Sequence, residues 1–273
     1  MAHTKEEIKN RIDKLPIFEK RTIKVSDSTE PEETEWTKQD RKFAICEVGY
    51  SEAYSYVTKN YNLVQFKDVF TPLVNCFEDF KGYLIDHRGM AILKIFPNIP
   101  ELEEENYCLG LMAVNSVDLS TSVIVKFVIK HQQYQITVPA KIAGIQKSHV
   151  GDVVNIVKDY VSMVSLVKRA WKTIMIEFPK YRIVSKVTGY ETDPVLSFGD
   201  AAKNLKLGER MKKRIKKSIE SYDANSKRFT LWEMFIFAIE ELSEKKYKND
   251  MAREKQLERL SNAIFEYSFT LSL

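Results

Sequence analysis

From Val150 to Phe178, apolar residues recur at steps of three and four: Val150, Val153, Val154, Val157, Val161, Val164, Val167, Trp171, Ile174, Met175 and Phe178. Lys158, Asp159, Lys168, Arg169 and Lys172 fall on the other side, so the spacing predicts one long amphipathic helix ended by Pro179. At 1.5 Å per residue it spans roughly 43 Å, enough to lie across a whole sheet. A short helix is predicted over 4–14, with Thr4 as cap, Glu6 and Glu7 in the first turn, and Ile8 and Ile12 on one face. Val69, Phe70, Leu73, Val74 and Phe77 carry helical spacing over 67–80. The last third reads as three helices, about 200–221, 230–246 and 250–269; Thr230 and Glu233 form a capping-box pair at the start of the second.

Between these lie strand signals. Residues 22–25, 43–48 and 54–58 have strand composition. Residues 83–86 and 91–96 flank His87-Arg88-Gly89 and read as a hairpin, and 107–114, 122–130 and 134–138 follow with short connections. Apolar residues dominate VIVKFVIK, which predicts a strand buried on both faces. Adjacent strands with short connections imply antiparallel pairing. The fold class expected is α+β: an antiparallel sheet of about five strands backed by one long helix, followed by a helical C-terminal region. Expected boundaries are 1–40 for an N-terminal helix and acidic linker, 41–198 for the core domain, and 199–273 for the helical region. A further extended segment is expected near 181–187, and no 20–50-residue repeat occurs.

In 273 residues, 44% are hydrophobic and 29% charged, with 9 Gly and 8 Pro, a globular balance that excludes fibrous and disordered classes. No apolar run approaches the ~18 residues of a membrane span, and the charged N-terminus lacks the apolar core of a signal peptide, so a cytoplasmic setting is expected. The three cysteines, Cys46, Cys76 and Cys108, are far apart and have apolar neighbours. That excludes a disulfide framework and suits inert buried thiols.

Catalytic signatures are missing. Neither phosphate-loop nor dinucleotide fingerprint occurs, nor Gly-x-Ser-x-Gly, nor His-Glu-x-x-His. His3, His87, His131 and His149 are widely spaced and read as solvated or structural. Asp86-His87-Arg88-Gly89 and Asn115-Ser116-Val117-Asp118 suit turns between strands, although Asp86 and Asp118 leave room for a metal-dependent nuclease as a third reading. No catalytic residue, metal site or cofactor is assigned.

Charge is unevenly distributed. Residues 1–105 hold 15 Lys+Arg against 20 Asp+Glu, and 106–273 hold 27 against 18, for net charges of −5 and +9. Five carboxylates crowd Asp27–Glu35, an acidic linker. Residues 203–217, KNLKLGERMKKRIKK, carry eight cations against the single Glu209. Leu205, Leu207, Met211, Ile215 and Ile219 mark a narrow apolar seam, so Lys203, Lys206, Arg210, Lys213, Arg214 and Lys217 spread over the remaining face. Such a stripe is the electrostatic footprint of a nucleic-acid surface, because cations that neutralise phosphates release condensed counterions. Lys168, Arg169 and Lys172 form a second cluster, while Trp171 beside them falls on the apolar seam and suits core packing.

Several segments resemble the phage/plasmid-like family known as domain of unknown function 932. They are YSYVTKNYNLVQFKDVFTPLV from Tyr54 to Val74, the run Gly110 to Ser120 with Asn115, Ser116 and Asp118, and Phe229-Thr230-Leu231-Trp232 with Ala238 and Glu240 following. Val117 and Leu119 replace the family's His and Gly, and its Cys-x-Asn-Gly is absent. The resemblance spans roughly 40–265 and implies a protein carried by a virus, phage or plasmid. The order hairpin, strands, long helix is also similar to the core of ring-forming strand-annealing proteins, which implies a homo-oligomer.

The function expected is nucleic-acid binding, with DNA favoured and single-strand binding or annealing included, through Lys203, Lys206, Arg210, Lys213, Arg214 and Lys217 supported by Lys168, Arg169 and Lys172. The alternative is a protein-interaction factor of a mobile element that acts on a host system, in an anti-defence or regulatory role, with a host protein as partner.

Overall fold

The computed structural model describes residues 2–22, 43–58, 60–98, 103–104, 107–117, 121–131, 134–149, 153–185, 194–224, 228–244 and 250–271. The acidic segment Asp27–Glu35 lies outside them. The chain divides into two compact units, 1–126 with 144–161, and 127–143 with 162–273. Those divisions differ from the boundaries at 40 and 198 read from the sequence.

The first unit begins with helix α1 (Lys5–Asp13), where Thr4 and Glu7 form a capping box and Ile8 and Ile12 are buried, as the spacing predicts. The Thr4 backbone N–H donates to Glu7 at 2.7 Å and holds that carboxyl below its ordinary value. Strands β1 (Phe18–Thr22), β2 (Phe43–Glu47) and β3 (Ala53–Val57) form a three-stranded antiparallel sheet. Helix α2 (Phe66–Asn75) buries Phe66, Val69, Phe70, Leu73 and Val74. It ends five residues earlier than its apolar spacing predicts. Pro72 removes one backbone donor from its last turns, and Phe80 is drawn instead into a strand ladder.

That ladder is the main sheet. β4 (Phe80–His87), β5 (Met90–Pro97), β6 (Glu103–Glu104), β7 (Tyr107–Ser116), β8 (Val123–His131), β9 (Tyr134–Thr137) and β10 (Gly144–Lys147) contribute. Five run in the order β10-β8-β7-β5-β4, with short β6 on β7 and β9 on β8. The antiparallel sheet of about five strands is therefore present, with two small additions. Every residue of β5 is buried, so this strand is covered on both faces. α1 packs on β4, and α2 on β5 and β7. β8 is also buried along both faces apart from Lys130, as its composition predicts.

The β4–β5 hairpin turns through Arg88 (φ 42°) and Gly89 (φ 77°), two consecutive left-handed residues that match the right-handed twist of the flanking strands. Gly110 on β7 has a different reason to be small: a Cβ there would come within 2.5 Å of the Ile95 carbonyl oxygen. The open side of β4 is partly closed by the N-terminal segment. His3 and Gly82 exchange backbone hydrogen bonds of 2.8 and 2.9 Å, and Arg11 donates to the Leu84 carbonyl at 2.9 Å.

The second unit takes in the end of β8, all of β9 and helix α3 (Ala140–Ala143). It continues from Ser162 with most of the long helix α4 (Val153–Glu177), then β11 (Arg182–Val184), β12 (Val195–Ser197), α5 (Phe198–Asn204), α6 (Glu209–Ala224), α7 (Leu231–Glu244) and α8 (Asp250–Leu271). β11 and β12 pair in parallel, and β11 is tied to α7 by Leu231 N–H donating to the Tyr181 carbonyl at 2.9 Å. α8 packs on α7, β9 and α5. The Thr230 N–H donates to Glu233 at 2.6 Å, completing the cap predicted for α7.

The core of this unit is aromatic. Trp171 on α4 and Trp232 on α7 lie 6.3 Å apart, and His131 sits 5.9 and 5.8 Å from them. Phe235 extends the cluster from Trp232 at 5.3 Å to Phe178 at 6.0 Å. Such pairs contribute about 0.5–1.5 kcal/mol each beyond the area they bury. Trp171 is fully buried, so core packing is its role. His131 is also buried, and burial pushes its pKa below the ordinary histidine value.

Two stability predictions follow from these contacts. Gly89→Ala places a Cβ 2.9 Å from Tyr54 Cδ1 at a positive φ, and urea unfolding should show a loss of about 1–3 kcal/mol. A loss below a few tenths would mean that the turn is not held as described. Burial makes folded His131 take up its proton at a lower pH than the unfolded chain does, which protonates below about pH 6.5. Its contribution to stability is therefore complete above that pH and declines as pH falls toward the lowered native pKa. Thermal unfolding of His131→Phe should lose less stability than the parent between pH 7 and 5; parallel curves would refute this role.

Candidate nucleic-acid interface

The sequence predicts one helix over 200–221, but the chain makes two. Leu205 and Leu207 are both buried, and residues two apart on a helix point roughly 200° away from each other. Burying both in one core therefore requires a break. The chain supplies it at Leu205–Gly208: the Leu205 N–H donates to the Ala201 carbonyl at 2.9 Å, the Leu207 N–H to the Ala202 carbonyl at 3.0 Å, and Lys206 takes φ 53°. A left-handed lysine costs about 1–2 kcal/mol. The exposed Lys206–Glu266 ion pair (3.1 Å) is worth at most about 1 kcal/mol and does not offset this by itself. Burial of the two leucines, about 1.5–3 kcal/mol each, does.

Beyond the turn, Ile215 and Ile219 are buried and α6 packs on α7. Arg210, Lys213, Lys216 and Lys217 are exposed. At about 100° per residue, Arg210, Lys213 and Lys217 fall within roughly 60° of one another, with Lys216 and Arg214 flanking. The stripe from Arg210 to Lys217 is about 10 Å long. Lys203 is exposed on α5.

Acids inside the same unit already engage part of the basic block. Lys206 reaches Glu266, which also holds Lys141; hydrogen bonds from the two lysines, Lys141 first, keep the Glu266 carboxyl below its ordinary value. Arg214 donates to Glu241 at 2.6 Å and lies 5.9 Å from the Phe237 ring centroid. Lys212 pairs with Glu209 at 2.7 Å and lowers its pKa. Of the six cations expected on this surface, Lys206 and Arg214 are thus matched internally. Lys203, Arg210 and Lys213, together with Lys216 and Lys217, make no ion pair or hydrogen bond among the described residues.

Lys168, Arg169 and Lys172 lie on a separate helix, α4. Lys168 is half-buried and the other two are exposed. Two lysines passed over in the sequence, Lys94 and Lys126, are buried in strands β5 and β8. Lys126 falls within residues 106–273, but so does Glu254, buried in α8, and the two offset each other, so the +9 of that stretch also describes its surface.

The remaining candidates take structural positions. His149 is buried at φ 35°; its Nε2 donates to the Thr121 carbonyl at 3.1 Å, and its Nδ1 accepts from the Tyr61 hydroxyl at 3.1 Å. His87 is exposed beside the hairpin turn, and His3 lies against Arg11 at 2.7 Å. Asn115 is fully buried and donates to the Val64 carbonyl at 2.9 Å, while Ser116 donates to the Thr121 carbonyl at 2.8 Å. Asp118 lies outside the described residues. Cys46 is buried and Cys108 half-buried. Cys76 is exposed, against the expectation of three buried thiols, and partial burial raises its pKa, which makes it a poor nucleophile. Among the described residues no group of three or more His, Cys, Asp or Glu side chains could hold a metal ion, and no helix is long and apolar enough to cross a membrane.

Comparison with protein-family models, curated proteins and solved structures gives no match. The resemblance to phage/plasmid-like proteins therefore rests on the residues quoted for it.

The turn itself can be tested. Lys206→Val places a β-branched residue at positive φ and should cost about 1–2 kcal/mol in chemical unfolding, whereas Lys206→Gly should be neutral or stabilising. Equal losses in the two variants would shift the stabilising role from backbone geometry to the Glu266 ion pair.

Proposed function

We propose that the protein binds nucleic acid through the outer face of α6, with Lys203 of the preceding helix α5 contributing. One observation carries this reading: five cations, Lys203, Arg210, Lys213, Lys216 and Lys217, share the α5–α6 segment with no ion pair among the described residues, and of these only Lys213 interacts with an acid, Glu209, which Lys212 already holds. A helix exposed only to solvent usually interleaves both signs, whereas the acids of α6, Glu209, Glu220 and Asp223, lie near its two ends. Phosphates are the ligands that a row of unpaired ammonium and guanidinium groups suits, and such a row binds them without reading sequence. Arg214 and Lys206 border the surface, but their charges are shared with Glu241 and Glu266. Lys168, Arg169 and Lys172 support it as a secondary contact. The resemblance named above adds a setting, a mobile genetic element. Annealing and assembly into an oligomer are further expectations of the same reading.

Fluorescence anisotropy with labelled oligonucleotides across a salt series tests the proposal. Neutralising four or five phosphates gives a slope of about −4 for log K against log salt on duplex DNA, and a shallower one on single strands. Replacing Arg210, Lys213, Lys216 and Lys217 together by Glu should abolish binding while leaving the thermal midpoint nearly unchanged. No binding at 50 mM salt, or binding indifferent to salt, would overturn the proposal. A host protein retained in pull-downs after nuclease treatment, with no oligonucleotide binding, would favour the protein-interaction reading.

A further inference from the structure

We infer that Arg214 is the pre-positioned phosphate contact of the α6 surface, and that Glu241 and Phe237 of α7 are the residues that position it. This rests on the reading of α6 as a nucleic-acid surface and names the side chain that grips a phosphodiester there.

Arg214 lies among the cations of α6. It follows Arg210 by four residues and precedes Lys217 by three, the spacings at which side chains are neighbours on one helix face. Its head group, unlike theirs, is already placed. Nη1 of Arg214 donates to one carboxylate oxygen of Glu241 at 2.6 Å and lies 2.5 Å from the other. The guanidinium carbon stands 5.9 Å from the centre of the Phe237 ring. Phe237 and Glu241 are four residues apart on α7, the helix on which α6 packs, so both contacts come from one face of one helix.

The anchored nitrogen leaves the other two available. Nε and Nη2 carry three of the five N–H donors of a guanidinium, and they have no hydrogen-bond partner among the described residues. Nε–H and one Nη2–H run side by side and form the fork that takes two oxygens of a phosphate. Exposure divides the pair in the same sense. The Glu241 side chain is 14% exposed and that of Arg214 51%, so the carboxylate is recessed and the guanidinium remains open to a ligand.

Charge and order pull in opposite directions here. The carboxylate cancels part of the attraction between Arg214 and a phosphate. A free lysine or arginine, however, gives up its rotamer freedom when a phosphate immobilises it, whereas Arg214 has given it up on folding. A lysine in its place could not serve both partners, because an ammonium is a compact point charge that Glu241 would occupy. Binding should therefore depend on arginine at 214, and on Glu241, in a way that it does not depend on arginine or lysine elsewhere in the row.

A double-mutant cycle on the full-length protein tests this, read by anisotropy with labelled single- and double-stranded oligonucleotides. Arg214→Ala should weaken binding about tenfold and reduce the slope of log K against log salt by about 0.9 on duplex DNA. In a Glu241→Ala background the same change should cost less than about twofold, because the guanidinium is no longer held. In a Glu241→Gln background, where the amide oxygen still accepts from Nη1, the cost should return to about tenfold. Arg214→Lys should bind as weakly as Arg214→Ala, while Lys217→Arg binds like the parent. Thermal midpoints should hardly move, since an exposed pair adds little to stability. An Arg214→Ala variant that binds like the parent, an Arg214→Lys variant that does so, or an equal or larger cost of Arg214→Ala once Glu241 is alanine would each overturn the assignment and leave phosphate binding by the rest of α6 intact. No oligonucleotide binding by the parent would overturn both.

Discussion

Two leucines separated by a single residue govern the part of the molecule that faces outward. Leu205 and Leu207 cannot both reach one core from an unbroken helix, and the hydrophobic return from burying both exceeds the cost of turning Lys206 left-handed. The break that results ends α5, starts α6 and orients the cations that follow. Had Leu207 remained exposed, 200–221 could have continued as one rod, and the basic residues would have wound around it on a different set of faces. The electrostatic surface is thus a product of packing, because the apolar positions decide where the charged ones point.

The long helix α4 shows a related competition. Its N-terminal half, VVNIVKDYVSMV, holds more apolar residues than one stripe can bury. The spacing read from the sequence runs through Val157 and Val161, yet Val161 is 68% exposed. Ile156 and Tyr160, one residue earlier, are buried instead and continue through Val167, Trp171, Ile174 and Phe178 as one stripe of period 3.6. Two stripes were open to the helix, and the one with the bulkier side chains at these positions is the one buried.

Much of the architecture was legible because it depends on local physics. The Thr4–Glu7 and Thr230–Glu233 caps, the β4–β5 hairpin with its left-handed pair, and the doubly buried β8 follow from residues adjacent in sequence. What sequence could not supply depends on distant partners. Ending α2 at Asn75 requires knowing that Phe80 pairs with Pro97. Sorting the basic block requires knowing that Glu241 and Glu266, from other helices, reach Arg214 and Lys206. The break between α5 and α6 was the exception: Leu-Lys-Leu-Gly carried its signal in an alternation foreign to a helix. The cluster of His131, Trp171 and Trp232 joins three segments about 40 to 60 residues apart, and no local rule would assemble it.

The small clasp at the edge of β4 bears on how the protein behaves in a crowd. A strand at the margin of a sheet offers rows of unsatisfied amides and carbonyls to any passing chain. Here His3 and Arg11 occupy such sites at Gly82 and Leu84. The first dozen residues therefore act as a stopper against runaway cross-molecular ladders. Their value would show in the kinetics of fibril growth more than in the folding equilibrium.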